Sequence, residues 1–472
     1  MKTRFAPSPT GRAHIGNYRV AFFNYLLARQ NQGKFFLRIE DTDIERSQQE
    51  YVQLIQDDLI WLDLQWDPWI EREKSSNIYY QSKEGDFYQK YLKLLLEKEI
   101  AYHCFCSKER LQQSRTSQLS AGKPPRYDRK CTKLSKKEIA EKLASGEESR
   151  LRFRLEERDI YHFYDSIHGE REALGADISG DFIIALNERS PTFLFSNALD
   201  DFRMNITNVV RGEDHLMNTY LQVAVLQACD LSPPKYCHIP LILEHGSGPL
   251  SKRINSFSLA KIREKGFSAP AVLNYLFRLG HQTETNDLLD LSEMIKRFSE
   301  NRLSRSPAEF NEKHLAYWQK KVFRSTGQQE LLEAVKEYLP KNLAKEKLEK
   351  LLHLLKNEMG NIRESCEFLK RIFSPSYPIR KEEKSYFRPE SLYFCQQLRV
   401  ALELFPEDYS AILTHLQTSL NLKGKELYQP LRIFLTSSLV GPDLRDIFSI
   451  IPPDILLTRL DRIIKEIETS LK

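Results

Sequence analysis

Long apolar runs are missing from this 472-residue sequence. No uninterrupted stretch of about 18 apolar residues occurs, so no membrane-spanning helix and no membrane partner is expected. The opening segment MKTRFAPSPTGRAHIGN has no apolar core of the secretory kind, and no export signal is expected. Cysteine is sparse. Seven, an odd number, are scattered along the chain, which argues for reduced thiols and a cytoplasmic setting rather than a disulfide framework. Two familiar phosphate-cradling patterns, GxxxxGK(S/T) and GxGxxG, are absent. So are internal repeats and low-complexity tracts.

What is present is a globular composition, 41% hydrophobic and 29% charged, on a length that suggests roughly three units. The net charge is only +5, but from Asn301 onward there are 28 Lys/Arg and 23 Asp/Glu, so the whole excess lies in the C-terminal third. A phosphate-rich partner fits that placement, and so does a solvated helical surface. Charge alone does not choose between them.

Periodicity gives the outline. Thr3–Ala6 reads as a strand stopped by Pro7 and Pro9. Asn17–Gln30 places Val20, Phe23, Leu26 and Leu27 at helical spacing, Gly33 stops that helix, and Lys34–Glu40 is the next strand. This order suggests a doubly wound, nucleotide-binding α/β sheet. The pattern loosens from about Trp69 to Ile178, read as an insertion, with a charged helix near Lys133–Ser145 and a strand at Arg150–Arg154. Strands are expected again at Asp181–Leu186 and Asn208–Arg211, with a helix from Leu216 to Ala228. Beyond about Phe267 the signals are helical, including Glu346–Met359 and Asp454–Leu471, and the last third is expected to be an antiparallel helical bundle.

Two elements carry the chemistry. Gly11-Arg12-Ala13-His14-Ile15-Gly16-Asn17 stands where the first strand passes into the first helix. Backbone N–H groups and the helix dipole favour phosphate there, and a small residue such as Gly16 admits adenosine close to the backbone. Gly248-Pro249-Leu250-Ser251-Lys252-Arg253 is a small-residue loop with adjacent cations, suited to closing over a triphosphate. Either alone has a bland reading, as a helix cap or a basic surface loop.

Together they resemble the HIGH and KMSKS signatures of class I aminoacyl-tRNA synthetases. RFAPSPTG at Arg4–Gly11, LRIEDTD at Leu37–Asp43, VVRGEDHLMNT at Val209–Thr219, LSKR at Leu250–Arg253 and LNYLFRLGH at Leu273–His281 resemble the glutamyl-tRNA synthetases of bacterial type. The resemblance implies a Rossmann-type catalytic domain with an inserted acceptor-binding domain, then an all-α anticodon-binding region. The expected division is 1–75 and 181–300 for the catalytic halves, 76–180 for the insertion and 301–472 for the helical region. It also implies ligation of L-glutamate to the 3′ end of tRNA-Glu with ATP and Mg²⁺, through a glutamyl-adenylate whose formation waits for tRNA.

Carried over residue by residue, His14 and Lys252 would bind and polarise the ATP phosphates. Gly16, Asn17, Asp214, Ser251 and Arg253 would complete the ATP side. Arg4 and Arg211 would read the glutamate carboxylates, with Ser8, Phe193 and Asn197 nearby and Glu40 facing the ammonium. A dicarboxylate needs fixed guanidiniums, and its amine needs an anion.

The sequence departs from the family at Asn17, where the superfamily has His and this branch often Gly, at Pro249 for the first lysine of the loop signature, and at Phe193 for a common Tyr. Cys104, Cys106, Tyr127 and Cys131 resemble the zinc-binding insertion of some members. Lys133 stands where some relatives have a histidine ligand, and the alternative is three reduced structural thiols. Other readings stay open: tRNA-Gln as the acceptor, and a tRNA-binding paralogue without catalysis. The helical C-terminal third argues against the short glutamyl-queuosine synthetases and against a glutaminyl-tRNA synthetase with a β-barrel anticodon domain. A monomer is expected.

Overall fold

A computed structural model of the chain describes residues 1–43, 46–71, 74–244, 248–249, 258–374 and 391–470. It divides into two compact units, Met1–Glu264 with Val272–Glu312, and Lys265–Ala271 with Lys313–Lys472.

In the first unit, β1 (Lys2–Phe5) pairs in parallel with β2 (Lys34–Ile39), Arg4 opposite Phe36, and β2 pairs in parallel with β3 (Tyr79–Tyr80). Between the first two runs α1 (Ile15–Gln30), closed by the Gly33 N–H on the Ala28 carbonyl at 2.8 Å. Past Lys34 every residue of β2 is buried, the mark of a strand covered on both faces. α1 is also buried nearly all round, from Ile15 and Tyr18 to Ala28. Val20, expected on its apolar stripe, is only half-buried because it borders a cleft.

Two four-stranded sheets belong to the same unit. Strands β4 (Ala101–Cys104), β5 (Arg150–Phe153), β8 (Phe182–Asn187) and β9 (Ser190–Pro191) form one, in the order β9-β8-β5-β4. The other has the order β10-β11-β6-β7, where β6 is Ile160–Asp165, β7 Gly169–Leu174, β10 Asn208–Gly212 and β11 Lys235–Ile239. Within it β10, β11 and β6 are parallel and β7 is antiparallel.

The parallel sheet thus comes in two pieces. They approach at β1 and β10, where the Thr207 N–H donates to the Lys2 carbonyl at 3.0 Å. Further along, the Asn24 side chain of α1 donates to the Val210 carbonyl at 2.8 Å and accepts from its N–H at 3.4 Å. A side-chain amide takes the place of a neighbouring strand there and keeps the ladder open.

The expected boundary between residues 180 and 181 is crossed in both directions. Phe182–Asn187, assigned to the second catalytic half, pairs with the insertion strand β5. Ile160–Asp165, assigned to the insertion, pairs with β11. Local periodicity reports that a strand forms but not its partner, and these partners are far apart in sequence.

The described part of the second unit is helical. It includes α2 (Lys345–Glu358), α3 (Ile362–Phe373), α4 (Ser391–Leu404), α5 (Tyr409–Leu420), α6 (Lys425–Thr436) and α7 (Pro453–Ser470). Its own core runs from Phe323 to Ile467 through Leu351, Leu355, Phe368, Leu398, Leu416, Phe434 and Leu460. No described helix is long and apolar enough to cross a membrane.

Candidate active site

The N-terminus of α1 is built around His14. Its backbone is extended, and its Nδ1 accepts the Gly16 N–H at 3.1 Å. The Asn17 side chain returns the bond, Oδ1 accepting the His14 N–H at 3.0 Å, which closes a reciprocal cap. Asn17, the departure from the family pattern, therefore has a structural task of its own. Burial lowers the His14 pKa against the opposing pull of Asp214. A neutral ring whose Nδ1 is an acceptor carries its proton on Nε2, so the imidazole is fixed as a hydrogen-bond donor. A side chain at Gly16 would crowd the His14 ring: a Cβ there would lie 2.8 Å from two of its atoms, so the ring would have to shift.

A second group of side chains lies in the polar interior. Arg211 is buried; its Nη2 donates to Thr219 Oγ1 at 2.6 Å and Gln222 Oε1 at 2.8 Å, and its Nε to His238 Nε2 at 3.2 Å. Its Nη1 is buried and has no partner among the described residues. Burial lowers the Arg211 pKa to about 10, leaving it a cation at neutral pH. Gln222 donates to Asn197 at 3.0 Å, and Asn197 donates to Glu40. Glu40 also pairs with the buried Arg38 at 3.3 Å. Burial raises the Glu40 carboxyl, with Arg38 and Arg4 opposing.

Arg4 is held by Asp201 through Nε at 2.9 Å and Nη2 at 3.3 Å, and Asp201 takes Arg38 at 2.6 Å as well. Burial works against the Asp201 carboxylate, but Arg38 and Arg4 more than offset it and hold its pKa below the ordinary value.

A cleft of about 570 Å³ brings these groups together. Arg4, Ser8, His14, Gly16 and Asn17 line it from the N-terminal segment, and Glu40, Phe193, Asn197, Arg211 and Asp214 from later elements. Gly248 and Pro249 form a short strand against Ile242–Glu244. Ser251, Lys252 and Arg253 lie outside the described residues.

Several residues of this site escaped the sequence reading. Arg38 and Asp201 fix Arg4 and Glu40; Thr219, Gln222 and His238 fix Arg211. His215 lines the cleft with its ring 5.5 Å from that of Phe193, and burial together with Arg211 lowers its pKa to about 4. Thr219 and His215 stood inside the VVRGEDHLMNT run and Arg38 inside LRIEDTD, so a polar residue within a motif was the available signal.

A family model described as the catalytic domain of class I tRNA synthetases (E and Q) matches residues 1–317. The chain belongs to that family. A second model, described as an anticodon binding domain, matches residues 330–464 of this synthetase-family chain. A glutamate–tRNA ligase 1 of Coxiella burnetii is 40% identical over 460 residues, covering 98% of this chain and 99% of that one. A glutamate–tRNA ligase 2 of Nitrosococcus oceani is 39% identical and covers 94% of each. The solved glutamate tRNA ligase of Elizabethkingia meningosepticum, in complex with its amino acid, aligns with a TM-score of 0.79 at 27% identity and covers 99% of both chains.

The cysteine group can hold a metal. Cys104 and Cys131 are buried, and the sulfurs of Cys104, Cys106 and Cys131 lie within 4.8 Å of one another. The Tyr127 hydroxyl is 3.5 Å from Cys104 Sγ and 3.3 Å from Cys106 Sγ. Zn–S bonds of about 2.3 Å in a tetrahedron require S–S edges of about 3.8 Å, so the set fits a tetrahedral ion. Arg152 and Arg110 each approach a sulfur at 3.2 Å and would offset thiolate charge. His103, beside Cys104, bonds Ser149 at 3.0 Å.

Proposed function

We propose that the chain is a glutamate–tRNA ligase. It joins L-glutamate to the 3′ end of tRNA through a glutamyl-adenylate, releasing pyrophosphate and then AMP. The observation that carries this reading is that Arg211, whose buried Nη1 has no partner among the described residues, lines a cleft together with Glu40 and the capped His14. A buried guanidinium with one open donor suits a carboxylate, and an anion nearby suits an ammonium.

In the first step the glutamate α-carboxylate attacks the α-phosphorus of ATP. Arg211 and Arg4 hold the carboxylates, assisted by Ser8, Phe193 and Asn197, and Glu40 faces the amine. The Nε2–H of His14 donates to a phosphate oxygen, with Gly16 and Asn17 keeping the helix N-terminus close to the nucleotide and Asp214 beside it. Ser251, Lys252 and Arg253 close on the phosphates and stabilise charge on the departing pyrophosphate. Mg²⁺ comes with the nucleotide, held mainly by the phosphates as this ion prefers. A terminal ribose hydroxyl of the tRNA then attacks the mixed anhydride. Positioning and electrostatics do most of this chemistry.

In the same reading, residues 1–75 and 181–300 form the catalytic halves, 76–180 engage the acceptor stem and 301–472 engage the anticodon, except that Ile160–Asp165 pairs within the catalytic part and Phe182–Asn187 within the insertion. Cys104, Cys106, Cys131 and Tyr127 hold one structural zinc, which ties the chain near Ala101–Cys104 to the turn at Lys130–Lys133. The enzyme works as a cytoplasmic monomer. Aminoacylation with radiolabelled glutamate, run in parallel on tRNA-Glu and tRNA-Gln, tests the proposal. Charging of tRNA-Glu supports it, charging of both widens the acceptor range, and charging of neither by a folded enzyme with Mg·ATP refutes it.

A further inference from the structure

The guanidinium of Arg211 is one link in a buried chain that ends on a carboxylate away from the cleft. Arg211 and His238 are register partners on the parallel strands β10 and β11, so their side chains leave the same face of the sheet. Both His238 and Asp165 are fully buried. Asp165 accepts from His238 Nδ1 at 2.6 Å and from the His238 backbone N–H at 3.0 Å. Its other oxygen accepts the N–H groups of Ile167 at 2.9 Å and His168 at 2.8 Å. Four donors on one carboxylate keep it ionised, and an ionised Asp165 requires the His238 proton to sit on Nδ1. Nε2 is then a lone pair, the state that accepts Arg211 Nε–H at 3.2 Å, and it also faces the Thr219 hydroxyl at 2.8 Å.

With Nε on His238 and Nη2 on Thr219 and Gln222, the plane of the guanidinium is fixed. The donor left over, Nη1, belongs to an arginine that lines the cleft. We infer that Asp165 and His238 are positioning residues for glutamate recognition: the carboxylate sets the imidazole tautomer, and the imidazole lone pair sets the orientation in which Arg211 meets a substrate carboxylate. This rests on the reading of Arg211 as a carboxylate ligand given above.

The logic makes the two exchanges at His238 unequal. His238→Gln can keep an oxygen where Nε2 stands, whereas His238→Leu leaves the Arg211 Nε–H without an acceptor. Asp165→Asn offers Nδ1 a donor, moves the ring proton to Nε2 and sets two donors against each other.

The test is steady-state aminoacylation by the full-length enzyme with tRNA and Mg·ATP, reading KM for glutamate, KM for ATP and kcat separately. His238→Leu and Asp165→Asn are expected to raise the glutamate KM at least about tenfold, the loss of one charge-assisted contact, with kcat and the ATP KM within about twofold. His238→Gln is expected to recover most of the loss. An unchanged glutamate KM in folded His238→Leu would overturn the inference, as would equal damage from Gln and Leu or a fall confined to kcat. Arg211→Ala in the same assay separates the two claims. If it leaves the glutamate KM unaltered, the carboxylate reading itself fails. If it raises KM while the His238 variants do not, only the positioning role fails.

Discussion

At the scale of single residues, the site depends on atoms that are absent as much as on atoms present. A methyl group on Gly16 would occupy the space of the His14 ring, at 2.8 Å from Cε1 and Nδ1. The ring must swing away and give up the Gly16 N–H, so Gly16→Ala should act as a displacement of His14. The expected result is a fall of about 10²-fold in ATP–pyrophosphate exchange with tRNA present, the usual consequence of losing one donor to the transition state. A variant with exchange near the wild-type rate would show that His14 does not touch the reacting phosphates. The resemblance pointed to both residues. What one sequence could not supply was the arrangement behind them. Arg38 and Asp201 were written in plain sight, yet nothing local says that residues 38 and 201 meet Arg4 in one ion cluster. Asp200 was equally silent. It accepts Tyr79 at 2.6 Å, Tyr88 at 2.7 Å and Gln81 at 2.6 Å, and burial pushes its carboxyl up to about 7 against the lowering pull of Arg38 and these bonds. A folded-state pKa above the unfolded value means that the native state binds the extra proton. Stability from this group is therefore full below about 4, the unfolded carboxyl value, and is lost as pH rises through about 7. Asp200→Asn mimics the neutral form, and its amide can donate to Gln81 Oε1, which lacks a partner among the described residues, once that amide turns over. The thermal midpoint of Asp200→Asn should thus gain on the wild type between pH 5 and pH 8. Parallel curves across that range would sink the assignment.

At the scale of elements, helices were easier to read than the partnerships of strands. Leu216–Ala228 forms as the apolar spacing predicts, and Asp454–Leu471 is matched by a helix over Pro453–Ser470. Helical periodicity is a local property, whereas a strand's place is decided by a neighbour that can lie far off in the chain. One helix–helix device was invisible for the same reason. Arg459 of α7 is buried and donates to the carbonyls of Phe434 and Leu435 at 3.0 and 2.7 Å. Its other terminal nitrogen donates to Arg371, Ile372 and Ser374 at 2.7, 2.9 and 2.9 Å. One guanidinium thus closes the C-terminal ends of α3 and α6 together, where unpaired carbonyls gather partial negative charge. Replacing it by methionine keeps the volume and strands those acceptors, at a cost on the order of 3 kcal/mol. Hydrogen exchange should report it as lost protection in the last turns of α3 and α6. Protection equal to wild type would mean that packing alone holds those ends.

At the scale of the whole molecule, charge and architecture point to the same partner. The sequence carries +5 in total and all of it from Asn301 onward, in the region whose residues 330–464 match the anticodon binding model. Most of that third, Lys313–Lys472, belongs to a unit with its own core, so its surface charge is free to serve binding without serving the catalytic fold. Neutralising tRNA phosphates releases counterions, and the observed affinity then falls steeply as salt rises. If about five phosphates are neutralised, a fourfold rise in salt should weaken binding by about 10²-fold. In the proposed reading, glutamate recognition runs through Arg211, which is buried and held by the framework, where screening has little reach. Filter binding of a tRNA-Glu transcript between 50 and 200 mM salt should therefore show a fall in affinity of about two decades, while the glutamate KM at saturating tRNA moves less than about threefold. A tRNA affinity indifferent to salt would leave the basic third as an ordinary solvated surface. A glutamate KM that climbs as steeply as the tRNA constant would mean that the carboxylate meets exposed cations rather than the buried guanidinium.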